Sequence, residues 1–253
     1  MLTHDDIRNF TPTPDCLKDK IILVTGAGEG IGRAVALAYA KHGATVLLLG
    51  RTQEKLESLY DEIEALGLAT PAILPMDLAK ASFAQMTQTA HLIQKEFGRL
   101  DGILHNAAIL GALTPMEMYD PITFDEVMQV NLTAPFRLTQ ACFNLLMVST
   151  AGSVVFMSSG VAKPRAFWGA YALSKQGVEG LCELFTQETQ KHTTLRFNCI
   201  NPGGTRTNMR AHAFPGEDPM TLPTPEEMLP AYLCLMADVS VGVKGQVVAL
   251  QPK

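Results

Sequence analysis

What this 253-residue chain lacks narrows it first. No apolar run approaches the roughly 20 residues of a membrane-spanning helix, and the first twenty residues carry Asp5, Asp6 and Asp15 with no apolar signal core. There is no long basic tract, and the net charge is −5, which argues against a nucleic-acid surface. The five cysteines, Cys16, Cys142, Cys182, Cys199 and Cys234, are odd in number and widely spaced, without a C-x-x-C pair or a metal-ligand cluster. They read as reduced thiols, and no metal site is expected. Internal repeats, linkers and low-complexity tracts are also missing. These absences lead to an expectation of a cytoplasmic protein, with neither membrane nor nucleic acid as partner, that works on small molecules.

What is present is ample material for one buried core: 47% hydrophobic residues against 18% charged. Residues 1–18, with Pro12 and Pro14 in a polar stretch, read as an extended N-terminal arm, and 19–253 as one domain. From Lys20 onward, short apolar runs alternate with longer periodic segments, the pattern of repeated strand–helix units on a parallel sheet. Strands are predicted at 21–24, 44–49, 72–76, 102–105, 153–157, 195–200 and 247–250. Helices are predicted at 31–41, 53–66, 82–97, 124–148 (interrupted near Pro135), 169–191 and 224–236 (bent at Pro230). The fold class is therefore α/β, a single doubly wound Rossmann-type domain with a seven-stranded parallel sheet flanked by helices.

Gly26, Gly30 and Gly32 follow the first strand directly and open a helix, where a tight turn and a helix N-terminus can hold a pyrophosphate. After the second strand, an NAD site would place a carboxylate against the adenosine ribose; here the run is Leu49-Gly50-Arg51-Thr52. Arg51, joined by Arg33, suits a 2′-phosphate instead, so NADP(H) is favoured over NAD(H). Asp77, ending the third strand, is placed to accept from an adenine amino group or to cap a turn. Tyr171 and Lys175 are four apart on one helix face. An ammonium beside a phenol favours phenolate, so the spacing predicts a tyrosine pKa lowered from about 10 toward neutrality and a group that exchanges a proton with a carbonyl or alcohol oxygen.

With these residues in view, the chain resembles the short-chain dehydrogenase/reductase family over essentially residues 19–250. Thr25 to Gly32, with Gly28 and Ile31 inside it, looks like the family's cofactor loop. His105-Asn106-Ala107-Ala108 is similar to its motif after strand four, Asn131 to its helix asparagine, Tyr171 to Lys175 to its Tyr-x-x-x-Lys, and Asn201 to Thr207 to its Pro-Gly loop. Within the family it is most like the bacterial YciK-type group.

The resemblance implies a serine thirteen residues ahead of the tyrosine, which is Ser158, with Ser159 beside it as the rival. That serine would stabilise charge on the substrate oxygen. It implies Tyr171 as general acid/base in hydride transfer between a carbonyl and an alcohol, Lys175 as its electrostatic partner and a ribose ligand, and Asn131 in a proton relay. Asn106 would lie under the adenosine half, while Pro202, Gly203, Thr205 and Thr207 would turn over the nicotinamide. His105 is read as structural. The expected substrate walls are Leu110, Val161, Arg165, Trp168, Met209 and Phe214, and Arg165, Arg206 and Arg210 would be the groups to meet an acidic substrate. The family further implies a homodimer or homotetramer through the 124–148 and 169–191 helices. Two rival readings are a non-catalytic NADP(H)-binding sensor or scaffold, and a serine hydrolase; the second lacks the G-x-S-x-G elbow and a histidine placed to activate Ser158.

Overall fold

The computed structural model describes residues 2–189 and 194–251. In chain order the strands are β1 (Ile21–Thr25), β2 (Thr45–Gly50), β3 (Ala72–Pro75), β4 (Gly102–His105), β5 (Ser153–Met157), β6 (Arg196–Asn201) and β7 (Val247–Ala249). They form one sheet in the order β3-β2-β1-β4-β5-β6-β7, parallel at every pairing. β1, β4 and β5 are buried throughout, as strands covered on both faces must be. The chain winds outward from β1 to β3 and then returns to place β4 on the other side of β1. That reversal opens a crevice at the strand ends, where open α/β sheets bind their ligands.

The α-helices are α1 (His4–Arg8), α2 (Gly30–Lys41), α3 (Gln53–Ala65), α4 (Phe83–Phe97), α5 (Pro121–Met128), α6 (Ala134–Val148), α7 (Gly169–Thr189), α8 (Asn208–Ala213) and α9 (Leu229–Met236). Apolar residues of α2, α3 and α9 cover one face of the sheet, and those of α4, α6 and α7 cover the other.

The structure departs from the sequence expectation in three places, each for a local reason. The N-terminal segment is not simply extended. Thr3 and Asp6 form a capping box that starts α1, and Ile7 and Leu17 are fully buried in the core beside α9. The helix expected from Phe124 begins earlier, at Pro121, because the Asp120 carboxylate accepts from the Thr123 N–H at 2.8 Å. Its interruption is a π turn over Gln129–Thr133: Pro135 has no N–H to give the carbonyl four residues back, that of Asn131, and the ladder widens there. The segment after Thr224 divides into a 3-10 turn, Pro225–Met228, and α9. Pro230 lies in the first turn of α9, where it starts a helix and bends none. The other boundaries fall within about two residues of expectation, and positions 190 and 191 of the long helix lie outside the described residues.

Candidate active site

A cleft of about 480 Å³ runs along the C-terminal ends of the strands. One end begins in the turn between β1 and α2. Gly26 has φ +67°, and a β-carbon on it would sit 2.9 Å from Asn106 Nδ2 and 3.0 Å from Ala107 Cα; a methyl on Gly32 would collide with the Gly26 carbonyl. Asn106 Nδ2 donates to the carbonyls of Thr25 (3.1 Å) and Gly26 (3.3 Å), and the Ala107 N–H donates to Thr25 Oγ1 (3.0 Å). These bonds lock the β1 and β4 turns together.

Gly28, Gly30, Ile31 and Ala108 line the same cleft. At the N-cap of α2, Glu29 makes no capping bond; its carboxylate is turned to Lys55. The first N–H groups of α2 therefore have no side-chain acceptor, and backbone this close with an open helix start fits an anionic pyrophosphate.

Arg51 lies exposed on the cleft at the end of β2 and, among the described residues, makes no ion pair. Arg33 does not join it: its guanidinium is held by Glu62 at 2.6 Å and lies off the cleft. Asp77 lines the cleft, and its Oδ1 accepts from the Ala79 N–H at 3.1 Å, so it also closes its own turn.

At the other end, the first turns of α7 bring Tyr171 and Lys175 to the cleft, both buried. Lys175 Nζ donates to the Met157 carbonyl at 2.7 Å. Desolvation pushes its pKa down to about 8, against a favourable coulombic contribution from Cys199. The phenol does not follow the lowered pKa expected of it. Burial pushes Tyr171 above its usual value, and a side-chain hydrogen bond with Ser159 offsets this in part.

Both serines line the cleft, but their side chains leave the strand in opposite directions. Ser158 continues the β5 ladder, its N–H donating to the Ile200 carbonyl at 2.7 Å, so its side chain shares the Phe156 face, toward α7. There its hydroxyl donates to the Glu179 carboxylate. Ser159, still extended at φ −158°, points the opposite way, and its hydroxyl accepts from the Val161 N–H at 3.4 Å.

Asn131, buried in the π turn, grips the β4 loop: Oδ1 accepts from the Ile109 N–H (2.8 Å) and Nδ2 donates to the Ile109 carbonyl (2.9 Å) and to Ser174 Oγ (3.1 Å). Ser174 in turn donates to the Tyr171 carbonyl at 2.8 Å, so the asparagine ties the start of α7 to the cleft floor.

After β6, Pro202, Gly203, Thr205 and Thr207 line the cleft. Gly203 has φ +73°, and Gln251 Nε2 braces the loop by donating to the carbonyls of Pro202 (2.8 Å) and Gly204 (3.0 Å), a contact between distant segments with no local signature. The Thr207 hydroxyl caps α8 by accepting from the Arg210 N–H.

Of the expected substrate walls, Leu110, Trp168, Met209 and Phe214 line the cleft, while Val161 and Arg165 do not. Arg206 donates to the carbonyls of Pro219 (2.9 Å) and Leu222 (3.0 Å), and Arg210 holds Glu217 through two bonds of 2.6 and 2.7 Å. Neither guanidinium is the free anion receptor that the sequence allowed.

Known proteins share this fold. Residues 20–218 match the family described as short chain dehydrogenase. The chain is 48% identical over 245 residues to the oxidoreductase YciK of Escherichia coli K12, covering 96% of each chain. The 0.95 Å structure of yciK from E. coli matches with a TM-score of 0.93 over 96% of this chain and 100% of that one, at 48% identity. A short chain dehydrogenase from E. coli CFT073, solved as a complex with NADPH, is 50% identical and matches with a TM-score of 0.92 over 95% of this chain and 100% of that one.

Proposed function

The chain belongs to the short-chain dehydrogenase family, and from that membership we propose that it is an NADP(H)-dependent oxidoreductase that interconverts a carbonyl and an alcohol. The observation that carries this reading is that one cleft joins the open start of α2 to Tyr171, Ser159 and Lys175. Gly26 to Gly32 would hold the pyrophosphate, Asn106 and Asp77 the adenosine half, Lys175 the nicotinamide ribose, and Pro202 to Thr207 the nicotinamide. Arg51 would meet the 2′-phosphate, a charge-assisted contact that NADH cannot make. The NADPH complex of the E. coli CFT073 relative supports that preference. When bound, the dinucleotide supplies or accepts the hydride.

The protein's own residues manage the proton. Because burial keeps the Tyr171 phenol protonated at neutral pH, it is ready to donate to a substrate carbonyl oxygen. Ser159 hydrogen-bonds the same oxygen as charge develops on it. Lys175, cationic below about pH 8, stabilises the phenolate left behind. Asn131 acts at one remove, through Ile109 and Ser174, by fixing the helix that carries Tyr171. The five unbonded cysteines fit a reducing compartment, the cytoplasm. Exposed Phe136 and Met147 on α6 and Leu184 on α7 fit a homo-oligomer paired through those helices.

Parallel equilibrium titrations with NADPH and NADH test this reading. NADPH should bind at least tenfold more tightly; binding of neither nucleotide, or equal binding of both, would contradict it.

A further inference from the structure

The carbonyl end of the cleft has an unequal lining. The hydroxyls of Ser159 and Tyr171 both line it. Around them stand Leu110, Trp168, Met209, Ala213 and Phe214. The aromatic rings form a ladder: the Trp168 centroid is 5.9 Å from that of Tyr171 and 5.9 Å from that of Phe214, tilted by 46° and 44°. The Arg210 guanidinium lies over Phe214, 3.7 Å from its carbon to the ring centre, while its Nε and Nη2 donate to Glu217. Its charge is thereby paired with a residue just beyond α8, and its guanidinium packs on the aromatic wall. Arg206 donates to the carbonyls of Pro219 and Leu222, and Lys175 to that of Met157. An anion at this end would shed water against indole, phenyl and thioether groups, with the Arg210 charge paired to Glu217 and the Arg206 donors turned to backbone carbonyls. Arg51, which among the described residues makes neither an ion pair nor a side-chain hydrogen bond, is at the far end beside β2.

We propose that the site reduces uncharged, apolar ring ketones, with the carbonyl oxygen between Ser159 and Tyr171 and the ring against Trp168, Phe214 and Met209. This rests on the oxidoreductase reading above and narrows its substrate class. Flat apolar rings recover dispersion contact and aromatic geometry from such a wall, whereas a short carboxylated chain loses hydration for neither.

Trp168 is the chain's sole tryptophan, so its emission reports this end of the cleft without reference to turnover. Protein saturated with NADP⁺ would be titrated with 1-tetralone, 2-decalone and cyclohexanone, and separately with acetoacetate. NADPH binding would be followed through energy transfer from Trp168, and NADPH oxidation assayed with each compound. Expected results are saturable change of Trp168 emission with the ring ketones and none with acetoacetate, and kcat/KM at least a hundredfold higher for 1-tetralone. Phe214→Asp should lower apparent affinity for 1-tetralone at least tenfold while leaving NADPH binding in place. Preferred binding or reduction of acetoacetate would overturn the substrate class and leave the oxidoreductase reading standing. NADPH binding with no response to any ring ketone would likewise overturn it. Absence of NADPH binding would overturn the oxidoreductase reading and this inference with it.

Discussion

Lys175 Nζ lies 5.5 Å from the centre of the Tyr171 ring and gives its hydrogen bond to the Met157 carbonyl at the end of β5. The cation is thus anchored by the sheet near the phenol and not by the phenol itself. Burial acts on both groups in the sense that favours their neutral forms: Tyr171 is raised and Lys175 is lowered to about 8.

A pH profile for carbonyl reduction follows. The reaction needs the phenol protonated and the lysine charged, and the lysine is the first of the two to lose its proton as pH rises. Single-turnover reduction should be flat near pH 7 and fall about tenfold per unit well above pH 8. A rate that climbs steadily from pH 7 to 10 would contradict the assignment.

Lys175 also reduces the stability of the fold. Its folded pKa, about 8, is below the ordinary 10.5, so between those values the unfolded chain holds the extra proton and stability rises with pH. The penalty is fully present below pH 8 and amounts to about 3 kcal/mol. Lys175→Met removes it and forfeits the bond to Met157, worth about 1 kcal/mol. The variant should therefore be inactive yet more stable at pH 7 by about 2 kcal/mol, with the gain shrinking by pH 10. Denaturant unfolding at the two pH values checks this; an equal effect at both would contradict it.

The two serines should separate cleanly. Ser159→Ala removes the cleft hydroxyl proposed to bond the substrate oxygen and should lower kcat by roughly a hundred- to a thousandfold. Ser158→Ala breaks a bond to Glu179 on the far side of the strand and should lower kcat less than tenfold. Steady-state kinetics on the pair decide it, and the reverse ranking would restore Ser158.

How far the sequence could be read depends on whether a residue acts through pattern or through side-chain direction. The seven strands were legible because each is a short apolar run between turn signals, and the glycine turn because backbone conformation restricts its residue types. His105 was legible as structural: it is buried, its Nε2 is 2.8 Å from Thr139 Oγ1, its ring stacks on Phe156, and desolvation lowers its pKa to about 3. The choice between Ser158 and Ser159 was not legible, since both line the cleft and only side-chain direction separates them. The engagement of Arg33 by Glu62, and of Arg210 by Glu217, was hidden for a related reason: pairings across elements leave no local signature.

Arg51→Ala should raise the Kd for NADPH by roughly ten- to a hundredfold, the value of one charge-assisted contact, and leave that for NADH within about threefold. Equal losses for the two nucleotides would show that Arg51 does not read the 2′-phosphate.

Gly32→Ala would drive a methyl into the Gly26 carbonyl and the Asn106 amide. The two turns must then part. The expected result is loss of both NADPH binding and about 2 kcal/mol or more of stability, read by titration and denaturant unfolding. A variant that binds NADPH normally would show that the turn is not the cradle.

The central claim is that the cleft performs proton-coupled reduction through Tyr171, and is not a sensor that only binds the dinucleotide. Tyr171→Phe tests it most directly, with NADPH affinity and single-turnover reduction of 1-tetralone measured on the same preparation as the wild-type protein. Unchanged NADPH affinity with reduction slowed at least a thousandfold is the predicted result. Reduction at the wild-type rate in the variant, or NADPH binding without reduction of any carbonyl compound in the wild-type protein, would contradict it.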